Sequence, residues 1–332
     1  MFHVKISSVL SVPPFIRQLP NHSNMWGDCV FHVNDDYSSP DVWCIFDNLS
    51  KMETAFVNKK NVFLFTGEPP FIKLYSYKYT NQFGKVFSCQ KNVYNRMNGV
   101  KMFPLLPWMA GARQIDGMNL WDNNYCDYDF FSTSHFVASK LNKIAIITSN
   151  KISTKGHLNR VLFAKEMVKA FPNYVDLYGN GFSPVADKLD IYAKYKYVIC
   201  IENSSYPSYW TEKLSDVFLC ESFPLYYGAP DVEKYFPQNS FTNIDILDHK
   251  KSANILCHVL NMNIYEKNYG AILKAKQLVL DKYNLFCVLD DVVRKYISYD
   301  YMEKDNVVID TLKDDFRMKI LRRLHKYFQV PI

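Results

Sequence analysis

The cysteine patterns of metal-binding domains are missing from this sequence of 332 residues. Its eight cysteines form no C-x-x-C pair, and no spacing of cysteine and histidine suits a zinc ion. Several cysteines stand in apolar runs, as Cys200 does between Ile199 and Ile201. We therefore expect buried, reduced thiols and, with them, a reducing compartment.

Long apolar segments, internal repeats and nucleic-acid-binding motifs are also missing from the sequence. Because no apolar run is long enough for a signal peptide or a membrane span, we expect a cytoplasmic, bacterial protein. The net charge of +6 suits an anionic small molecule or an acidic membrane surface. Since no DNA- or RNA-binding motif accompanies that charge, we expect no nucleic-acid partner.

The composition is that of a globular protein. Hydrophobic residues make up 48% of the chain and charged residues 22%, and the length suits two domains. Aromatic residues reach 16%. Aromatic rings stack on sugars in carbohydrate-binding proteins, but they are also ordinary core residues, so their number decides nothing by itself.

Strands and helices alternate regularly from about Lys143 onward, which predicts a doubly wound parallel sheet. We place a domain boundary at about residue 140 and expect an α/β fold of two Rossmann-like domains facing a cleft. The predicted strands are Val42–Phe46, Asn61–Phe65, Lys143–Ser149, Tyr174–Tyr178, Tyr195–Ile201 and Pro224–Tyr227, and the predicted helices are Leu158–Phe171, Asp187–Lys194 and Thr211–Cys220.

The pattern of strands and helices is less regular near the two ends of the chain. Residues 1–140 form the predicted N-terminal domain, in which Asp116–Ser134 is predicted to be a long connection, and residues 141–312 form the predicted C-terminal domain. Residues 313–332 predict a basic amphipathic helix. This helix either packs on the body of the protein or makes peripheral contact with an anionic membrane, and the sequence leaves both hypotheses open.

A strand-loop-helix segment in the middle of the chain holds the most informative polar residues. Glu202 and Asn203 open its loop, and Glu212 and Lys213 begin its helix, for which Ser208 is the predicted N-cap. In open α/β sheets ligands bind where strands end and helices begin, and a helix N-terminus with a nearby lysine favours a phosphate. The alternative is a capped helix with a solvated lysine.

Two further polar residues follow predicted strands. Arg160 lies near the start of a helix, where an arginine can bind a diphosphate through two parallel hydrogen bonds. Glu68 stands beside Gly67 in a turn, and a carboxylate there can act as a general base toward a hydroxyl group. Taken alone, each residue is also typical of an ordinary surface charge.

The motifs around these residues resemble those of the α-1,3/4-fucosyltransferases, glycosyltransferase family 10, of bacterial type. The donor motif of that family is similar to Glu202-Asn203-Ser204, a spacer that ends in Tyr209, and Thr211-Glu212-Lys213. The donor-side similarity covers about residues 143–245, whereas the first half matches only in islands. Further similar segments are Ser149-Asn150 with Arg160, Ser222–Pro230, Pro237–Phe241, Phe65–Glu68 and, more faintly, Asn24–Gly27.

This resemblance implies a GT-B-like fold and an inverting, metal-independent enzyme that transfers L-fucose from GDP-β-L-fucose and requires no cofactor. It also implies that residues 1–140 form the acceptor-binding domain and residues 141–312 the nucleotide-sugar donor-binding domain. Arg160 and Lys213 are implied to neutralise the diphosphate, and Glu68 is implied to be the general base. Within the donor motif, which includes Glu202, the residues implied to hold the ribose and the sugar are Asn203, Tyr209 and Glu212.

The acceptor is expected to be an oligosaccharide or a lipid-linked glycan. We expect transfer to O3 of a GlcNAc- or Glc-type residue in a bacterial surface glycan, such as a lipopolysaccharide O-antigen. Trp210 replaces a valine of the family motif, so the rim of the donor pocket is expected to differ. Pro69 replaces an asparagine, and Phe71–Phe83 departs from the family pattern, which leaves another GDP-deoxysugar open as the donor.

Two other interpretations remain open. Asp127 and Asp129 form an Asp-x-Asp pattern, which a metal-dependent glycosyltransferase uses to bind a cation on the diphosphate. A non-catalytic carbohydrate-binding protein would also suit the aromatic composition, but it would have no use for Arg160, Glu212 and Lys213 together.

Overall fold

The computed structural model describes residues 1–115, 118–119, 126–152, 155–300, 303–313 and 320, and it divides them into two compact units. The first unit contains Met1–Pro107, Pro207–Tyr209 and the described residues of Asn284–Ile332. The second unit contains the described residues of Trp108–Tyr206 together with Trp210–Tyr283.

The strands are listed here in chain order with their labels. They are Phe2–Ser8 (β1), Met25–Trp26 (β2), Cys29–Val33 (β3), Val42–Phe46 (β4), Glu53–Asn58 (β5), Val62–Phe65 (β6), Lys85–Ser88 (β7), Gly99–Lys101 (β8), Gln114–Ile115 (β9), Met118–Asn119 (β10), Leu141–Ile147 (β11), Val175–Tyr178 (β12), Tyr195–Ile201 (β13), Phe223–Tyr227 (β14), Thr242–Asn243 (β15) and Lys304–Ile309 (β16).

The α-helices are numbered in the same way, and a π-helical turn at Leu278–Lys282 joins the last two. They are Pro13–Ile16 (α1), Tyr77–Thr80 (α2), Lys91–Tyr94 (α3), Tyr128–Thr133 (α4), Lys155–Ala170 (α5), Lys188–Tyr192 (α6), Glu212–Leu219 (α7), His249–Asn261 (α8), Ile264–Gln277 (α9) and Leu285–Tyr296 (α10).

The first unit is built on a sheet with the strand order β2-β3-β1-β4-β6-β7-β8, in which only the β2–β3 pair is antiparallel. Every residue of β4 and β6 is buried, as expected for parallel strands that are covered on both faces. The predicted strand Val42–Phe46 is confirmed. The strand predicted at Asn61–Phe65 begins one residue later, because Asn61 closes a 3₁₀ turn.

The chain returns to the first unit after residue 284, a step that the sequence prediction missed. Helix α10 packs on the first sheet, where the rings of Phe286 and Phe31 lie 4.7 Å apart. Strand β16 pairs with β5 in antiparallel register, with Lys304 opposite Asn58. The bounds of the two units therefore differ from the predicted division at residues 140 and 312.

The second unit contains a fully parallel sheet with the strand order β12-β11-β13-β14-β15. The predicted strand Tyr195–Ile201 is β13, and the other predicted strands and helices of this unit are present with ends shifted by up to three residues. The Asp116–Ser134 connection lies partly outside the described residues, and its last part contains α4.

Three other sequence predictions concern the chain as a whole. All eight cysteines are free, and five of them, including Cys200 and Cys220, are buried as expected. Within the described part of the chain, no helix is long and apolar enough to cross a membrane. The predicted basic helix at residues 313–332 lies outside the described residues, except for Lys313 and Ile320.

Candidate active site

A cavity of about 960 Å³ opens at the carboxyl ends of strands β11, β12 and β13 in the second unit. This is the edge of a parallel sheet at which ligands bind in open α/β folds. Its size suits a nucleotide-sized ligand. The polar side chains in its wall include Arg160 from α5, Lys188 from α6, and Glu212 and Lys213 from α7.

Gly179 lets the strand ends come close together at this edge. Its φ of +114° is a conformation that L side chains rarely adopt. A Cβ atom at this position would lie 2.0 Å from the carbonyl oxygen of Thr148 at the end of β11. The cavity wall between β11 and β12 therefore requires glycine here.

Arg160 is almost fully buried in the wall of the cavity, at 9% exposure. Its Nη1 donates to Asn203 Oδ1 over 3.3 Å, and its Nη2 donates to Ser149 Oγ over 3.4 Å. Its Nε has no hydrogen-bond partner among the described residues. Burial lowers the pKa of Arg160 and Glu202 opposes this, but a guanidinium group remains charged in proteins. Because these two hydrogen bonds are long and Nε donates none among the described residues, the guanidinium can still bind an anionic ligand.

Glu202 lies beneath the cavity, with a fully buried side chain. Its carboxylate accepts hydrogen bonds from the Thr211 backbone N–H at 2.8 Å, from the Thr211 hydroxyl, and from Lys213 Nζ at 3.3 Å. Burial raises the pKa of Glu202, and Lys213 and Thr211 partly offset this. Glu202 therefore fixes the helix start and the lysine from below, and it does not itself line the cavity.

The N-cap of α7 is Thr211, so the prediction of Ser208 as the cap is wrong. The Thr211 hydroxyl accepts from the Lys213 backbone N–H, whereas Ser208 is buried with a left-handed backbone, at φ 61°. Trp210 is 2% exposed and packs against Phe236 and Tyr283. The expectation that Trp210 alters the pocket rim is also wrong, because its ring lies in the core of the second unit.

Glu212 and Lys213 face the cavity from the first turn of α7, with Lys213 Nζ 3.4 Å from Glu212 Oε1. Burial raises the pKa of Glu212, but the ammonium groups of Lys213 and Lys188 outweigh it and hold that pKa below its ordinary value. Lys188 completes this cluster of charges. Sequence reasoning missed it, although Asp187-Lys188 at a predicted helix start was the available signal.

Glu68 and Tyr209 lie together in the first unit. The Tyr209 hydroxyl donates to Glu68 Oε2 over 3.2 Å, and the Glu68 backbone carbonyl accepts from Gln90 Nε2 at 2.8 Å. Glu68 also lines a small cavity of about 140 Å³, together with Asp47 and the apolar side chain of Leu106. The Glu68 carboxylate thus lies at a cavity that is large enough for only a small part of a ligand.

The predicted site residues therefore form two sets. The first set, in the second unit, contains Arg160, Glu202, Asn203, Glu212 and Lys213. The second set, in the first unit, contains Glu68 and Tyr209, so Tyr209 of the donor motif contacts the predicted base.

The Asp-x-Asp pattern has a local structural role. The carboxylate of Asp127 is the N-cap of α4 and accepts from the Phe130 backbone N–H at 2.8 Å. The backbone carbonyl of Asp129 accepts from the hydroxyl groups of Ser132 and Thr133. These contacts account for the Asp127 carboxylate as a helix cap, and the metal-dependent interpretation stays a hypothesis.

Known proteins with similar sequences are fucosyltransferases. Residues 137–278 match the model of the C-terminal domain of glycosyltransferase family 10 (fucosyltransferase). The alpha-(1,3)-fucosyltransferase FucT of Helicobacter pylori is 29% identical over 85 residues, which are 26% of this chain and 17% of that protein. The alpha-(1,3)-fucosyltransferase 4 of Bos taurus is 30% identical over 92 residues, 26% of this chain and 23% of that protein. The matches thus span less than a quarter of these two relatives.

The similarity to a solved structure extends further along the chain. A crystal structure of an α1,3-fucosyltransferase superposes with a TM-score of 0.50 at 16% identity, covering 81% of this chain and 80% of that one. The fold is that of a GT-B glycosyltransferase, as the sequence predicted. Residues 137–278 are a glycosyltransferase family 10 domain, and the resemblance drawn from the motifs is confirmed.

Proposed function

We propose that this protein is an inverting fucosyltransferase that transfers L-fucose from GDP-β-L-fucose to a hydroxyl group of a glycan, without a metal ion. The observation that carries this proposal is the cavity of about 960 Å³, into which the cations of the family 10 domain converge. The name of that family and of its relatives supports fucose as the transferred sugar.

The donor half of the mechanism follows from the charges of the cavity. Arg160 and Lys213 bind the diphosphate, because their positive charges are held at the sheet edge by Asn203 and Glu202. Glu212 accepts hydrogen bonds from hydroxyl groups of the ribose or the sugar, since its lowered pKa keeps it ionised. Fixed charges of this kind stabilise a leaving diphosphate without reorganisation.

Glu68 acts as the general base in the acceptor half of the mechanism. Its carboxylate takes the proton from the acceptor hydroxyl as the hydroxyl oxygen attacks the anomeric carbon, opposite to the leaving GDP. The attack from the opposite face inverts the anomeric configuration, and the sugar passes through an oxocarbenium-like transition state. The hydrogen bond from Tyr209 orients the Glu68 carboxylate for this step.

The acceptor that we propose is O3 of a GlcNAc- or Glc-type residue in a bacterial surface glycan, such as a lipopolysaccharide O-antigen built at the cytoplasmic face of the membrane. The mild positive charge of the chain supports this location, since it suits an acidic membrane surface. A short oligosaccharide that carries such a residue is therefore the acceptor to test first.

The test is a transfer assay with GDP-fucose and N-acetyllactosamine in the presence of EDTA. The wild-type protein should form product, and Glu68→Gln should lower kcat by about 10²- to 10⁴-fold, because that is the range of general-base catalysis. Binding of GDP should be unchanged in Glu68→Gln, since Glu68 does not line the cavity of about 960 Å³.

Glu166→Gln is the matched control, because Glu166 is an exposed carboxylate on α5 that does not line the cavity. It should be as active as the wild type. Full activity of Glu68→Gln would exclude Glu68 as the base. Transfer that requires a divalent ion would contradict the metal-independent mechanism and redirect attention to Asp127 and Asp129.

A further inference from the structure

Lys188 is the charged residue of the cavity wall that no sequence motif explained. It is the first residue of α6 and lines the same cavity as Arg160 and Lys213. Its side chain is 27% exposed and lines the cavity, so it is accessible to a ligand bound there. A lysine without a role at such a wall would extend into solvent, whereas this one is fixed in place.

Asp216 on α7 is the residue that fixes Lys188. Its side chain has no exposed surface, and its Oδ2 lies 2.8 Å from Lys188 Nζ. Its Oδ1 accepts the backbone N–H groups of Met109 at 2.8 Å and Ala110 at 2.9 Å. A buried carboxylate that accepts from two backbone N–H groups is itself fixed in place, so it holds the ammonium in one position. Among the described residues, the Lys188 ammonium donates one hydrogen bond, to Asp216, and an ammonium has three donors, so two can bind a ligand.

Asp216 also brings Lys188 into the same group of charges as Lys213. The two residues Asp216 and Lys213 stand three positions apart on α7, which places them on neighbouring turns of one face. Burial lowers the pKa of Lys188, but Asp216 and Glu212 raise it by more, so the ammonium stays charged. Lys213 opposes this rise, which means that the two lysines repel each other across the cavity wall.

We propose that Lys188 is a third cation of the donor site, specialised for the leaving GDP, and that Asp216 positions it. The inference rests on the proposed function. When the bond between the anomeric carbon and the phosphate oxygen breaks, its electron pair stays on that oxygen, and the diphosphate gains one negative charge. The acceptor oxygen forms the new bond, and its proton passes to Glu68. A cation added to Arg160 and Lys213 stabilises the charge that grows in this step.

The test compares GDP with GDP-fucose by calorimetric titration of Lys188→Gln. Glutamine removes the charge but keeps a donor for the buried Asp216, so the fold should be preserved. We expect GDP affinity to fall by about 10- to 100-fold, the range of a lost charged hydrogen bond, and GDP-fucose affinity to fall less. Accordingly, kcat should fall more than the KM for GDP-fucose rises, and Lys188→Arg should restore part of the loss.

Lys143→Gln is the matched control, because Lys143 also pairs with a carboxylate of the second unit, Asp176, but does not line the cavity. It should bind GDP as the wild type does. The positioning role is tested by Asp216→Asn alone and combined with Lys188→Gln. If Asp216 acts through Lys188, the second substitution adds little to the first, and Asp216→Glu recovers part of the GDP affinity.

Three results would overturn the inference. The first is GDP binding by Lys188→Gln within about twofold of the wild type while Arg160→Ala binds none, since that outcome removes Lys188 from an intact donor site. The second is an equal loss of GDP and GDP-fucose affinity, which would make Lys188 an ordinary diphosphate ligand. The third is a wild-type protein that binds no GDP, which would overturn the proposed function and this inference together.

Discussion

Glu221, which follows the C-cap residue Cys220 of α7, forms a buried ion pair away from the cavity. Its side chain is fully buried, and its Oε1 lies 2.9 Å from the ammonium of Lys276, which is itself 4% exposed. The other oxygen accepts from the Phe136 backbone N–H and the Tyr269 hydroxyl. This network attaches residues 134–136 to α9, so it belongs to the stability of the second unit rather than to catalysis.

Glu221→Gln should destabilise the second unit by about 3–5 kcal/mol, because it leaves the Lys276 charge buried without its partner. The measurement is urea denaturation followed by circular dichroism. Lys276→Met in the same chain should recover part of the loss, since it removes the orphaned charge. Glu166→Gln serves as the exposed control, and an equal effect of both single substitutions would contradict the role given to Glu221.

The pH dependence of stability follows from the same residue. Burial raises the pKa of Glu221, but the bonds from Phe136 and Lys276 outweigh it, so its pKa in the folded state is lowered. The resulting stability is present above the unfolded pKa of about 4.3 and is lost as the pH falls through the folded pKa. The Tm of the wild-type protein should therefore fall between pH 6 and about pH 3, and it should fall less in Glu221→Gln.

The sequence alone revealed individual site residues only where a motif surrounded them. Arg160 and Lys213 could be predicted because they stand in segments that follow strands and resemble a known family. Lys188 and Asp216 were not predicted, because their ion pair joins two helices and the helix start at Asp187-Lys188 is only a weak local signal. Ser208 was taken for the cap because Ser is a good N-cap residue, but its left-handed backbone excludes that role.

At the scale of the element, α7 carries most of the candidate donor site. Thr211 caps this helix and also donates to the Glu202 carboxylate at 2.8 Å. Thr211→Ala should cost about 0.5–2 kcal/mol of stability through the lost cap and should also weaken GDP binding, because Glu202 and Lys213 lose a shared partner. Thr211→Ser is the control that keeps the hydroxyl, and it should retain both properties in urea denaturation and calorimetry.

The aromatic contacts of Trp210, which precedes the N-cap of α7, give a second prediction. Trp210 is 2% exposed, and its ring lies 5.0 Å from Phe236 and 5.4 Å from Tyr283. Trp210→Ala should cost about 3–5 kcal/mol, as large-to-small changes in a core do, and Trp210→Val somewhat less. A change in the KM for GDP-fucose without a loss of stability in urea would return Trp210 to the pocket rim.

Most elements of the second unit could be predicted because their apolar runs and helical spacing are local signals. The predicted strand Tyr195–Ile201 agrees with β13 at both ends. In the first unit, the strands Phe2–Ser8 and Cys29–Val33 were not predicted, since polar residues such as Lys5 and His32 interrupt their apolar runs. The pairing of β16 with β5 joins residues far apart in the chain, which local patterns cannot indicate.

The whole molecule consists, in its described residues, of two compact units, and the two sets of candidate site residues are divided between them. The sequence placed the change of unit at residue 140, whereas the chain passes into the second unit at Trp108 and leaves it at Tyr283. The cause is packing: the N–H groups of Met109 and Ala110 bind Asp216, and Phe286 packs on Phe31.

Calorimetric titration with GDP and UDP, with and without EDTA, tests the central claim most directly. We expect that the wild-type protein binds GDP in preference to UDP, that EDTA has no effect, and that Arg160→Ala abolishes binding because it removes the buried guanidinium. Absence of GDP binding, or binding only with a divalent metal ion, would contradict the assignment of the cavity as a metal-independent donor site.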